Sequence, residues 1–202
     1  MEPLLDTENL RLLLNDAVAR WHVEPQKHGD PHPLLQLALE NQAFNFDLWH
    51  EEDKARDKGA RAEDIATVKR NIDKLNQQRN DAMERIDEYV LAELARRKAR
   101  STADAPLHSE SVGSIVDRLA ILALKVFHMR EQTEREDVDQ AHRAECAAKL
   151  AILEEQQRDL AGSLHLLQEN LCLGRTRFKV YRQMKMYNDP SLNPVLYEGK
   201  NE

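Results

Sequence analysis

The amino-acid sequence predicts an all-α protein, a bundle of long antiparallel helices. Only 6 of the 202 residues are glycine, 5% are aromatic and 32% are charged, a composition that favours helices over strands and their turns. Apolar residues recur every three or four positions over long stretches, as they do on one face of an α-helix. The length suits one domain with its own hydrophobic core. We therefore expect residues 1–202 to form a single helical domain.

Helix-start signals and helix breakers divide this chain into three parts. Asp6 or Thr7 is a suitable N-cap for a helix over residues 7–23, and the prolines that follow predict a loop. Residues 34–174 then form the bundle core, and residues 175–202 form a basic and aromatic C-terminal tail. Positive charge is concentrated in the tail at five positions: Arg175, Arg177, Lys179, Arg182 and Lys185.

The bundle core is predicted to contain four helices. The first three cover about residues 34–55, 63–98 and 111–131. The last begins at Thr133, because Thr133 and Glu136 have the spacing of a capping box.

A heptad-like seam runs along this last helix. Its members follow one another by four and three residues: Cys146, Leu150, Leu153, Gln157, Leu160, Leu164, Leu167 and Leu171. Such a seam packs against a partner helix at a shallow angle. The partner is either another helix of the bundle or the same seam in a homodimer through residues 146–171. Gly174 stands where a left-handed C-cap would end the helix.

Two of the predicted core helices carry polar residues in the middle of the face that should be buried. Winding at about 100° per residue places Asn41, Asn45 and Glu52 on the apolar face of the first core helix. The same projection centres Arg79 on the apolar face of the next helix, with Asn76 at its edge. Burying a neutral polar group without a partner costs roughly 2–7 kcal/mol. We therefore expect these side chains to pair with one another or with a ligand.

The third core helix has a narrow polar stripe on an otherwise apolar surface. Ser114, Asp117, Arg118, Lys125 and His128 occupy about 100° of its circumference by helical projection. One interpretation is a buried central helix whose stripe lines a cavity. The other is a helix that exposes a narrow strip, with Asp117 and Arg118 in surface ion pairs.

Arg79 also allows two interpretations. Its stem can pack while its guanidinium reaches water, or the guanidinium can be buried and held by a carboxylate, for which Glu52 and Asp117 are the available acids. Asn41 and Asn45 can fix the register of neighbouring helices through a hydrogen bond, as single amides do in helical cores.

Composition and motifs exclude several classes of function. Acidic residues outnumber basic ones by 36 to 29, so no overall positive field would attract duplex nucleic acid. No apolar run approaches the 18 or so residues that span a bilayer, no secretory signal is evident, and Cys146 and Cys172 lack zinc-type spacing. These features predict a cytoplasmic protein with reduced cysteines. The sequence contains no P-loop, no Gly-rich dinucleotide fingerprint and no Ser-His-Asp order of catalytic residues. It therefore identifies no cofactor, and the cofactor stays unknown.

The polar residues on the inward faces predict a binding site for a small anionic ligand, one that is phosphorylated or nucleotide-linked. Three cationic side chains are candidate anion contacts: Arg79, Lys125 and Arg182. Three amides would orient the ligand: Asn41, Asn45 and Asn76. Three groups are candidates for proton transfer or cation binding: Glu52, Asp117 and His128. The sequence leaves open whether any bond is broken.

Two other functions are compatible with the same residues. The first is a noncatalytic helical adaptor or oligomeric scaffold, in which the inward polar groups only set helix register. The second is a Mg²⁺-dependent all-α nucleotide phosphohydrolase, because acidic pairs on facing helices can hold this cation. The acids for that site would be Glu51, Glu84 and Asp87.

Several long runs resemble the bacterial family known as domain of unknown function 4254, and the resemblance extends from about Leu34 to Tyr197. It implies a cytoplasmic bacterial protein of no assigned activity, similar to those encoded near glycosyltransferase and surface-polysaccharide genes. It implies no catalytic residues. Four runs carry it: NFDLWHEEDKAR (Asn45 to Arg56), NQQRND (Asn76 to Asp81), LHSESVGSIVDRLAILALKVFHM (Leu107 to Met129) and YRQMKMYNDPSLNP (Tyr181 to Pro194).

Overall fold

Capping residues and helical periodicity give this chain an all-α bundle, which confirms the predicted fold class. The structure, a computed structural model, describes residues 3–27, 29–184, 186 and 189–197. Its helices are α1 (Thr7–Trp21), α2 (Pro33–Ala55), α3 (Ala62–Arg96), α4 (Val112–Glu134), α5 (Gln140–Cys172) and the short α6 (Pro194–Tyr197). Two long hairpins, α2 with α3 and α4 with α5, form most of the bundle, and α1 packs against α2, α4 and α5.

Most helix ends follow from local hydrogen bonding. Asp6 caps α1 by accepting bonds from two backbone N–H groups, and Ser111 caps α4 in a capping box with Ser114. Helix α5 ends in a Schellman motif, in which Gly174 has a φ of +67° and the N–H of Arg175 donates to the carbonyl of Asn170 at 2.8 Å. The predicted C-cap at Gly174 is therefore confirmed.

The predicted start of α5 at Thr133 is wrong. The hydroxyl of Thr133 donates back to the carbonyl of Arg130 inside α4, and α4 continues to Glu134. Helix α5 begins at Gln140, because Asp139 accepts a bond from the backbone N–H of His142 at 2.8 Å. The aspartate satisfies the first turn of α5 and is the stronger start signal.

The seam of α5 packs within the chain. Leu160, Leu164, Leu167 and Leu171 are buried in the same core cluster as residues of α1 and α4. Gln157 is 1% exposed, and its amide exchanges two hydrogen bonds with the amide of Asn15 on α1. The seam therefore packs against other helices of its own bundle, which is one of the two alternatives that the sequence allowed. A homodimer through the seam stays a prediction.

Helix α4 is the central element of the bundle, since it contacts α1, α2, α3 and α5. Ile115, Leu119 and Leu124 on this helix are almost completely buried. The central position brings residues of α4 against the polar faces of both α2 and α3, which places the candidate site described below. Within the described part of the chain, no helix combines the length and the apolar character that crossing a bilayer requires.

The C-terminal tail returns along the loop that precedes α4. The backbone of Arg177 exchanges hydrogen bonds with Pro106 and His108, and its side chain donates to the carbonyl of Ala105. Further along, Arg182 reaches α3. Lys185, part of the predicted basic patch, and residues 198–202 of the tail lie outside the described residues.

Candidate functional site

A buried ion pair between Arg79 and Asp117 lies where α2, α3 and α4 meet. The Nε of Arg79 donates to Oδ1 of Asp117 at 2.8 Å, and Nη2 donates to Oδ2 at 2.7 Å. The side chain of Asp117 is 4% exposed and that of Arg79 is 24% exposed. The hydrogen bonds to Asp117 raise the pKa of Arg79 above its usual value, although burial opposes the shift. Of the two acids that the sequence offered to Arg79, the structure selects Asp117.

Two asparagines of α2 complete this cluster. The Nδ2 of Asn41 donates to Oδ1 of Asp117 at 3.1 Å, and that of Asn45 donates to the same oxygen at 2.9 Å. Asn45 also donates to the side-chain oxygen of Asn41 at 3.1 Å. Asp117 thus accepts four hydrogen bonds, two from amides and two from a guanidinium, which compensates for its burial.

The cluster borders a recess of about 400 Å³ between α2, α3 and α4, which we call the Trp49 recess. This volume falls near the lower end of the range of small-molecule sites, roughly 300–1,000 Å³. Glu52 lies in its wall and forms an ion pair with Arg56 at 3.3 Å. The lining combines apolar, aromatic and charged side chains: Asn45, Leu48, Trp49, Glu52, Asp53, Arg56, Arg79, Ile121 and Leu124.

His128 packs against Trp49, the aromatic residue of the recess lining. Its ring stacks on Trp49 with 4.7 Å between the centroids and 10° between the planes. The Nδ1 of His128 lies 2.8 Å from a carboxylate oxygen of Glu131, one turn later on α4. His128 therefore contacts the recess through Trp49 and does not belong to its lining.

Other aromatic rings support His128 from behind. His22, just after α1, lies edge-on to it at 5.1 Å and stacks on Phe127 at 4.1 Å. His50 lies 5.3 Å from His22. Burial lowers the pKa of His22 below its usual value, and the nearby His128 and His50 lower it further, against the opposing hydrogen bond to Val18 and the charge of Glu131. This packing therefore favours the neutral form of His22.

Four of the six predicted ligand contacts are not part of the Trp49 recess lining, and one of them, Asn41, is fully buried in the cluster with Asp117. Lys125 and Arg118 line a separate groove of about 670 Å³ between α4 and α5. Arg182 on the tail pairs with Glu84 and Glu88 of α3. Asn76 is half-buried on α3, one turn before Arg79. The polar stripe of α4 therefore does not line one common cavity.

The acids proposed for Mg²⁺ each have another partner. Glu51 accepts hydrogen bonds from Lys54 and Asn71, and Glu84 accepts bonds from the tail. Asp87 is 5% exposed and accepts a bond from the backbone N–H of Gly113 at 2.7 Å. Among the residues that the structure describes, no three His, Cys, Asp or Glu side chains are placed to share a metal ion.

A family model for proteins of unknown function, DUF4254, matches residues 35–180. The chain belongs to the DUF4254 family. No curated protein and no solved structure gives a significant match. All nine residues that line the Trp49 recess lie inside the matched range, as do Asn41 and Asp117. The family resemblance stated from the sequence is thereby confirmed over residues 35–180. The run from Tyr181 to Pro194 lies outside this range, and a bacterial origin stays a prediction. The match assigns no activity.

Sequence reasoning missed much of the recess of this DUF4254 member. Trp49 and Arg56 follow Asn45 and Glu52 on the same stripe of α2, at steps of four and three residues. Projecting that stripe one turn further would have found both. Trp49 gives no separate signal in the sequence, because an aromatic residue on an inward helical face is ordinarily part of the core.

Proposed function

We propose that the chain binds a small phosphorylated or nucleotide-linked molecule in the Trp49 recess. The observation that carries the proposal is the orientation of Arg79. A guanidinium has five N–H groups, of which two donate to Asp117, so three remain for another acceptor. Because Arg79 also lines the recess, these donors suit an anionic group of a ligand.

The buried cluster prepares Arg79 for this role. Asp117 fixes the plane of the guanidinium through two bonds, and Asn41 and Asn45 hold Asp117 from the α2 side. A donor that is already positioned loses less entropy on binding than a free side chain does. Arg56 supplies a second cation at the recess. In this proposal Asp117 is a positioning residue, while Arg79 and Arg56 contact the anionic group.

Glu52 is the best placed of the three residues considered for proton transfer or cation binding. It lines the recess, whereas Asp117 is saturated by four donors and His128 lies behind Trp49. If the ligand is processed as well as bound, Glu52 is our candidate acid or base. The setting in bacterial surface-polysaccharide metabolism, in the cytoplasm, is proposed from the family resemblance alone.

A thermal-shift screen followed by calorimetry tests the proposal. The probes are sodium phosphate, ribose 5-phosphate, a nucleoside monophosphate and a sugar nucleotide, each at millimolar concentration with and without Mg²⁺. A ligand that binds only the folded state raises the melting temperature by mass action. We expect at least one phosphorylated organic probe to do so.

Two variants of α2 provide a matched comparison. Arg56→Ala removes a cation from the recess, and Lys54→Ala removes an exposed cation that pairs with Glu51 outside it. We expect binding to weaken roughly tenfold in Arg56→Ala, the loss expected for one charge-assisted hydrogen bond, and to stay unchanged in Lys54→Ala. Arg79→Lys should weaken binding as well. A flat screen, or equal affinities in all variants, would contradict the proposal.

The scaffold interpretation is supported by a different observation. Asp117 accepts four hydrogen bonds from side chains of α2 and α3, so its carboxylate is satisfied by the protein and joins three helices. In that case the flat screen would be accompanied by large losses of stability in Asp117 variants. A response that requires both Mg²⁺ and a nucleotide would instead favour the phosphohydrolase.

A further inference from the structure

Trp49 is held rigidly at the wall of the recess. The ring of His128 covers it at 4.7 Å with the planes nearly parallel, and the bond from His128 Nδ1 to Glu131 fixes the orientation of that imidazole. An indole that is already braced loses little conformational entropy when a ligand packs against it. Trp49 therefore has the properties of a stacking platform.

Further aromatic rings pack around His128. The rings of His22 and Phe127 are nearly perpendicular to that of His128, with 5.1 and 5.3 Å between the ring centroids, and Trp49 itself is half-buried against the core. The position of Trp49 is thus defined by α1, α2 and α4 together.

The charges of the recess argue against a bare anion as its occupant. The lining contains two cations, Arg56 and Arg79, and two carboxylates, Glu52 and Asp53. Both of these carboxylates form ion pairs with Arg56, while Arg79 pairs with Asp117. Carboxylates suit hydroxyl donors, as in dinucleotide-binding folds where an acid accepts hydrogen bonds from a ribose. The recess accordingly suits a ligand that has an anionic group, hydroxyl groups and a flat ring.

We propose that Trp49, braced by the His128–Glu131 pair, stacks on a nucleobase, so that the recess selects nucleotides and nucleotide-linked molecules over simple phosphate esters. This inference rests on the proposed function and names its substrate class. In this arrangement the phosphate contacts Arg79, Glu52 or Asp53 accepts hydrogen bonds from the ribose, and the base packs against Trp49.

The test compares a nucleoside monophosphate with ribose 5-phosphate, which lacks only the base. Stacking of one base on an aromatic side chain is worth roughly a five- to 150-fold change in affinity. We expect the intact protein to prefer the nucleotide within that range, and Trp49→Leu to lose the preference. In a Trp21→Phe background Trp49 is the one tryptophan left of the two in the chain, so the nucleotide should quench its fluorescence and ribose 5-phosphate should not.

Variants of His128 and Glu131 separate the positioning of Trp49 from the overall stability of the protein. His128→Gln and Glu131→Gln should reduce the preference for the base and alter the emission of Trp49. His165→Gln, at an exposed histidine of α5 that faces Glu169, should change neither. Equal binding of the two probes, or a preference that survives in Trp49→Leu, would overturn the inference but leave the proposed function standing. Failure of both probes and of the sugar nucleotide to bind would overturn the proposed function itself.

Discussion

Two buried aspartates join α3 to α4, and they are compensated in different ways. Asp117 on α4 faces the guanidinium of Arg79 and two amides. Asp87 on α3 accepts a bond from the backbone N–H of Gly113 and interacts with the hydroxyl of Ser111. Burial raises the pKa of Asp87 to about 6, although both of these bonds and the helix terminus favour the charged form. A paired cation thus offsets most of the free-energy cost of burying a carboxylate, whereas the neutral donors around Asp87 offset that cost only in part.

The largest effect is expected from removing the acid that has the cation. Asp117→Ala would leave Arg79 buried without its partner, and both asparagine amides would lose an acceptor. The free energy of unfolding should fall by about 3–5 kcal/mol, as it does when one partner of a buried ion pair is removed. Urea denaturation followed by circular dichroism measures this.

A double variant checks the origin of that loss. Arg79→Met combined with Asp117→Leu removes both charges, so it should be more stable than Asp117→Ala alone. If Asp117→Ala cost less than about 1 kcal/mol, the pair would behave as an exposed ion pair and the contrast with Asp87 would disappear.

The effect of Asp87 should instead appear as a pH dependence of the free energy of unfolding. Its folded-state pKa is near 6, above the usual 3.8, so between these values the folded state binds more protons than the unfolded state. Stability contributed by this group is therefore present below pH 4 and is lost as the pH rises to 6, by on the order of 3 kcal/mol. Asp87→Asn lacks this titration, so its stability relative to the wild type should improve across that pH range.

Urea titrations at pH 4, 5, 6 and 7 follow this difference. Asp81→Asn serves as the control, because Asp81 is an exposed aspartate on the same helix. A difference between Asp87→Asn and wild type that stays constant from pH 4 to 7 would show that Asp87 does not titrate in this range.

A smaller effect is expected at Gly113, whose N–H donates to Asp87. A Cβ built on this glycine would lie 2.3 Å from the carbonyl oxygen of Met83, so alanine would force α4 away from α3. Gly113→Ala should lower the free energy of unfolding by about 1–3 kcal/mol, the usual cost of overpacking.

The matched control is Gly162→Ala on α5, where a Cβ would meet nothing within 4 Å. There the substitution should stabilise the protein by roughly 0.5–1 kcal/mol, because alanine favours a helix more than glycine does. Equal effects at the two glycines would mean that the close approach of α3 and α4 is not needed.

These two aspartates also show how far the sequence could lead. Asp117 was one of two acids, with Glu52, that the sequence offered to a buried Arg79, because these residues interrupt apolar faces and helical projection detects such interruptions. Asp87 was assigned to a metal pair with Glu84, because a one-dimensional pattern cannot show that its real partner is a backbone N–H 26 residues away. A side chain that bonds to a nearby backbone group, as the helix cap Asp6 does, leaves a signal in the sequence. A side chain such as Asp87, which bonds to a backbone group distant in sequence, leaves almost none.

The same limit explains why the candidate ligand contacts do not all line one cavity. Lys125 and Asp117 share the polar stripe of α4, but this helix contacts four others, so residues a few positions apart face different neighbours. Helical projection gives the direction of a side chain and says nothing about which element lies in that direction. The helices and their buried faces could therefore be predicted, whereas the lining of the Trp49 recess required the tertiary arrangement.

The smallest effect is expected at Arg182, which has the same chemistry as Arg79 in a different setting. Its guanidinium pairs with Glu84 at 2.8 Å and also with Glu88, but the side chain is 60% exposed. Water and salt screen such a pair, and holding long side chains in place costs entropy. Arg182→Ala should therefore change the urea midpoint far less than Asp117→Ala does, and the change should vanish in molar salt. A loss in Arg182→Ala that matched that of Asp117→Ala and persisted in salt would mean that the tail is part of the cooperative core, and burial would then no longer explain why these two arginines differ.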